Sequence, residues 1–98
     1  MAQRTAHVVS DDAVMGGEPR IEGRRITVRQ VAEWVEEAGL SAKTVADRYD
    51  LDVADVYHAL AYYHERPSEM AAVERRRADQ IRDARDRGMR SLADLDGE

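Results

Sequence analysis

The thirteen positions from Gly16 to Val28 constrain this chain more than any other stretch, because turn formers, two short β-prone pieces and a helix start follow one another without a gap. Gly16, Gly17 and Pro19 are turn residues, Arg20-Ile21-Glu22 reads as a short strand, and Gly23 permits the positive φ of a tight reversal. Arg25-Ile26 reads as the returning strand. Thr27 and Gln30 then have capping-box spacing, in which the hydroxyl accepts from a free amide of the first turn and the longer side chain reaches back. A β-hairpin that runs straight into a helix is therefore expected.

Size and composition set bounds on the rest. A chain of 98 residues fits one small domain plus an arm, and a domain of that size has a modest core. Phenylalanine is absent, so alanine, valine and leucine must supply most of the apolar filling. No cysteine is present, which excludes disulfides, thiolate metal sites and cysteine nucleophiles. Met1 to Ser10 is too polar for a signal peptide and no apolar run approaches the roughly 20 residues of a bilayer span, so a cytoplasmic protein without membrane contact is expected. The net charge of −5 is unevenly spread. Residues 31–66 carry three bases against eight acids, whereas residues 67–98 carry seven arginines against eight acids.

Along the chain, Ala6 to Val9 reads as a strand. From Val28 the apolar residues Val31, Val35 and Ala38 recur at helical spacing, and Gly39 marks the stop. Ser41 caps a second helix through about Arg48, and Asp52 with Asp55 opens a third carrying Val53, Val56, Tyr57 and Leu60, ended by Pro67. The short helix, the three-residue turn and the longer helix have the outline of a helix-turn-helix, though two consecutive amphipathic helices by themselves read first as a plain helix hairpin in the core. Pro67 and Ser68 open a fourth helix to about Arg87, with Gly88 as its stop; its apolar stripe is too thin to hold it firmly.

Catalysis needs a nucleophile with a base, a metal cluster or an enclosed carboxylate pair. None is visible: His58 and His64 fall on different helix faces, and Asp52 and Asp55 lie in a first helical turn where carboxylates favour the dipole. No enzymatic activity and no cofactor or metal are expected. For nucleic acid, Asp52 and Asp55 would repel phosphate from the third helix. Arg20, Arg24, Arg25 and Arg29, on the hairpin and the helix after it, are the better DNA-binding candidates, since arginine suits phosphate forks and guanine edges. The competing reading pairs them with Glu18, Glu22 and Glu33.

The pattern Gly17, Pro19, Ile21, Gly23, Arg25 and Ile26 before a helix resembles the family called domain of unknown function 433, over roughly residues 7–66. Arg24 stands where the family usually has threonine. The resemblance implies a mainly α fold: a helix-turn-helix, homeodomain-like core with a short N-terminal β-hairpin in residues 1–66, and a long C-terminal helical arm in residues 67–98. Members are similar to VapB-type antitoxins of type II toxin-antitoxin systems. That similarity implies a homodimer that binds operator DNA and neutralises a PIN-like ribonuclease toxin through the arm. Met70, Val73, Ile81, Met89, Leu92 and Leu95 would be apolar contacts, while Arg82, Arg85, Arg87 and Arg90 would enter the toxin's acidic metal site. The alternative is a dimeric transcriptional regulator or interaction scaffold with no toxin partner.

Overall fold

The computed structural model describes Gln3–Thr5 and residues 7–96, with side chains from His7 to Met89. The chain divides into two compact units, Met1–Pro67 and Ser68–Glu98.

The first unit begins with a small antiparallel sheet, β1 (Gln3–Thr5), β2 (Val8–Ser10) and β3 (Arg20–Ile21), in the order β1-β2-β3. Val8 pairs with Ile21 and Val9 with Arg20. The expected strand at residues 6–9 is shifted to Val8–Ser10 and is the central one of three. The expected returning strand at Arg25-Ile26 is reduced to one bridge between Arg20 and Thr27, with the Ile21 amide donating to the Ile26 carbonyl at 2.8 Å. It is short because the helix starts at the next residue, and backbone already committed to a helical turn cannot extend a ladder.

Helix α1 (Val28–Ala32) opens with the capping box: the Thr27 hydroxyl accepts from the Gln30 amide at 3.1 Å, and the Thr27 amide donates to the Gln30 side chain at 2.9 Å. Thr27 is fully buried, so these bonds also satisfy polar groups shielded from water. Periodicity predicts a single α-helix to Ala38. Instead the chain widens into a π-helical turn over Glu33–Glu37, closed where the Ala38 amide donates to the Glu33 carbonyl at 2.9 Å. Within that turn Trp34 stacks on Tyr49, ring centroids 4.0 Å apart and nearly parallel. Gly39, at φ 76°, ends the helix as expected.

Ser41 caps α2 (Ala42–Tyr49), its hydroxyl accepting from the Thr44 amide at 3.0 Å. Asp50 ends it in the left-handed region at φ 55°, and the Leu51 amide donates back to the Ala46 carbonyl at 2.8 Å. Helix α3 (Val53–Glu65) follows; Asp52 stands at its N-cap without a side-chain capping bond. α3 packs on both α1 and α2. The buried set is Val28, Val31 and Ala32 from α1, Val45 and Ala46 from α2, and Val56, Ala59 and Tyr62 from α3, joined by Val8 and Ile21 from the sheet. Each fully buried valine contributes about 1.5–3 kcal/mol, so this small core depends on nearly every member. The inward stripe of α3 differs from expectation, since Val53 and Tyr57 are exposed and Ala59 and Tyr62 take the interior.

The second unit is carried by α4 (Pro67–Asp96). Met70 and Val73 are buried, and every described residue from Glu74 to Met89 is exposed. Gly88 does not stop the helix. It sits inside α4 and is not among the positive-φ glycines; no proline follows it, and Met89, Arg90, Leu92, Ala93 and Leu95 are good helix formers. Its cost of about 1 kcal/mol relative to alanine is spread over a long helix. No helix among the described residues is long and apolar enough to cross a membrane.

Candidate nucleic-acid interface and docking arm

The hairpin tip is built by glycines in conformations that side chains rarely adopt. Gly23, at φ 78°, makes the reversal in which the Arg24 amide donates to the Ile21 carbonyl at 3.0 Å. Gly17 is constrained further: a Cβ there would lie 2.9 Å from the Asp12 carboxylate. Between these two turns Pro19 is buried, and its carbonyl accepts from the Val28 amide at 3.0 Å, which ties the hairpin to the start of α1.

On this frame the four candidate arginines have different environments. Arg29 is only 14% exposed and is held between two carboxylates, Glu18 at 2.9 Å and Glu33 at 3.5 Å, with Glu18 itself 13% exposed. Arg24 reaches across 26 positions to donate to the Asp50 carbonyl at 2.6 Å, with the Asp50 carboxylate at 3.8 Å. Arg20 donates to the Arg24 carbonyl at 3.1 Å, while its Nε is buried without a hydrogen-bond partner. Arg25 is exposed, and among the described residues it has no hydrogen-bond or ion-pair partner. The structure thus brings three of the four into internal roles and leaves Arg25 facing solvent. Helical spacing signals the i,i+4 pairing of Arg29 with Glu33, but nothing local fixes its contact with Glu18, eleven positions away, or the bond from Arg24 to Asp50, which exists only once α2 has folded.

Two further pairings carry no signal in the local sequence. His7, at φ 69°, sets its ring 4.8 Å from that of His58 on α3, and His64 pairs with Glu36 at 2.5 Å. Among the described residues no group of three or more His, Asp or Glu side chains converges as a metal site would require. α3 carries no lysine or arginine from Val53 to Glu65, and its outer surface shows Val53 and Tyr57, the latter 59% exposed.

On the arm, the structure separates the ten candidate contact residues. Met70 and Val73 are buried. Ile81 and Met89 are 50% and 63% exposed. Arg82, Arg85 and Arg87 are exposed; Arg82 forms an ion pair with Asp79 one turn earlier. Helical spacing groups Ile81, Arg82, Arg85 and Met89 on one face, bordering a shallow hollow lined by Ala78, Ile81, Arg82 and Arg85, and places Arg87 on the opposite face. The side chains of Arg90, Leu92 and Leu95 lie outside the described residues.

The arrangement is suited to binding through guanidinium and apolar surface. No curated protein and no solved structure matches the chain. Residues 8–63, from the central strand to near the end of α3, match the family described as "Protein of unknown function (DUF433)", and the chain belongs to that family.

Proposed function

We propose that this protein is an antitoxin of a type II toxin-antitoxin system, with a homeodomain-like, helix-turn-helix core that dimerises and an arm that neutralises a PIN-like ribonuclease. The observation that carries this reading is the exposed face of α4, where Ile81 and Met89 alternate with Arg82 and Arg85. Large apolar groups beside unburied guanidiniums have the composition of an interface centre, in which arginine and bulky side chains are enriched. A cluster of carboxylates that normally holds a divalent cation is a complementary target: a guanidinium pairs bidentately with a carboxylate and occupies the space of the metal.

Operator binding belongs to the same reading, with Arg25 as the phosphate contact and Arg24 beside it. Arg20 and Arg29 organise the hairpin from behind. The absence of cations on α3 favours the hairpin over that helix as the element that meets DNA.

The test is co-purification. Full-length protein co-expressed with a PIN-like ribonuclease should hold it through purification and suppress its cleavage of RNA. A chain ending after Glu74 keeps the buried Met70 and Val73 but lacks the exposed face, and should lose both properties. Retention by the shortened chain would refute the role of the arm.

A further inference from the structure

Two of the chain's three histidines, His7 in the turn between β1 and β2 and His58 on α3, come together with ring centres 4.8 Å apart. His7 is exposed and His58 half-buried, and among the described residues neither ring has a hydrogen-bond or ion-pair partner, whereas His64 is taken by Glu36. The spacing suits coordination. With a metal–nitrogen distance of about 2.1 Å, two imidazoles at a tetrahedral angle have their centres roughly 5 Å apart. One chain brings together two such ligands and no third among the described residues, which is half of a closed tetrahedral set.

His58 borders the outer side of α3. There Val53, Ala54, Tyr57 and Ala61 are exposed at helical spacing, opposite the buried Val56, Ala59 and Tyr62. None of the four is charged, although 36% of the chain is, so this face offers phosphate nothing to pair with and matches another uncharged surface. We propose that a second copy covers it with its own α3, the helices antiparallel, and that the two His7–His58 pairs then hold one divalent ion of the zinc and nickel class between the copies. The pairing gives the dimer of the proposed function its interface and rests on that reading; the metal site adds to it.

Tyr57 sets the direction. It has alanine one turn away on either side, Ala54 and Ala61, so an antiparallel pair lays each Tyr57 ring on Ala61 of the other helix. A parallel pair sets tyrosine against tyrosine and alanine against alanine, which leaves a gap. Antiparallel helices also face like edge to like edge, so the two His58 residues meet close to the two-fold axis, with His7 beside each. In a parallel pair His58 lies against the opposite edge of the other helix, and the imidazoles stay apart. Four imidazole nitrogens suit Zn2+, Ni2+ or Cu2+.

Full-length protein stripped with a chelator is followed by analytical ultracentrifugation, with Zn2+ or Ni2+ as the added probe. Each ion should tighten the dimer at least about tenfold and bind once per two chains. His7→Gln and His58→Gln should each abolish that response and leave the metal-free dimer unchanged, while His64→Gln should keep it. Tyr57→Glu, at a 59% exposed position, should give a folded monomer with or without metal. A dimer indifferent to metal, or a response that survives both histidine substitutions, would overturn the imidazole site and leave the dimerising core standing. A dimer unaffected by Tyr57→Glu would overturn the α3 interface. A chain monomeric under every condition would overturn the site and the dimerising core together.

Discussion

The guanidinium of Arg24 donates to the main-chain carbonyl of Asp50 at 2.6 Å, so the tip of the N-terminal hairpin closes the C-terminal end of α2. The last carbonyls of a helix lack partners in the helix and carry the negative end of its dipole, and a cation there satisfies both needs. Arg24→Ala should therefore destabilise the fold by about 1 kcal/mol, a drop of several degrees in melting temperature. Arg25→Ala, at an exposed position, should leave thermal unfolding within about 0.5 kcal/mol.

Asp50 itself holds the left-handed conformation at φ 55°. Because Arg24 bonds mainly to its carbonyl, the side chain is expendable. Asp50→Gly should raise stability or leave it unchanged, whereas Asp50→Val should cost at least about 1 kcal/mol, as read from thermal or urea unfolding.

The ion pairs should separate by burial. Glu18 and Arg29 are both nearly enclosed, so replacing Arg29 strands the Glu18 carboxylate and should cost about 1–3 kcal/mol, whereas replacing Glu18 leaves Arg29 its contact with Glu33 and should cost less; the pair should show clear coupling in a double-mutant cycle. Asp79 and Arg82 lie more than half exposed on α4, and the corresponding cycle should give coupling below about 0.5 kcal/mol.

DNA binding offers a separate measurement. Arg25→Ala should weaken operator binding at low salt and reduce the slope of log affinity against log salt by about 1, as loss of one phosphate contact does. An unchanged slope would remove the hairpin from the interface. Arg29→Ala tests less cleanly, since it breaks the pair with Glu18.

Much of the fold is legible in the sequence where local chemistry decides the outcome. The Thr27 and Gln30 capping box, the Gly23 reversal, the Gly39 stop and the Ser41 cap are set by residues within a few positions of one another. The pairing of Arg29 with Glu18 and Glu33 is visible there as an alternative to DNA contact. The features that are not legible depend on tertiary neighbours. The π-helical turn accompanies Trp34 lying on Tyr49, fifteen positions away, and periodicity alone cannot register an inserted residue. Val53 and Tyr57 read as inward because they are apolar, yet α3 turns Ala59 and Tyr62 to the core. Gly88 reads as a stop by propensity, but propensity is a weak prior against eight further helical positions. On the arm, the spacing of Ile81, Arg82 and Arg85 gives their common face, while the burial of Met70 and Val73 lies beyond what spacing reveals.

The most direct measurement is inhibition of a purified PIN-like ribonuclease by full-length protein and by the Arg82→Glu/Arg85→Glu variant, which leaves the buried residues of α4 in place. The wild-type chain should suppress RNA cleavage at near-stoichiometric concentration, and the variant should need on the order of a hundredfold more, as loss of two guanidinium contacts at an interface centre implies. Equal inhibition by both proteins, or undiminished cleavage with the wild type, would contradict the antitoxin role of the arm.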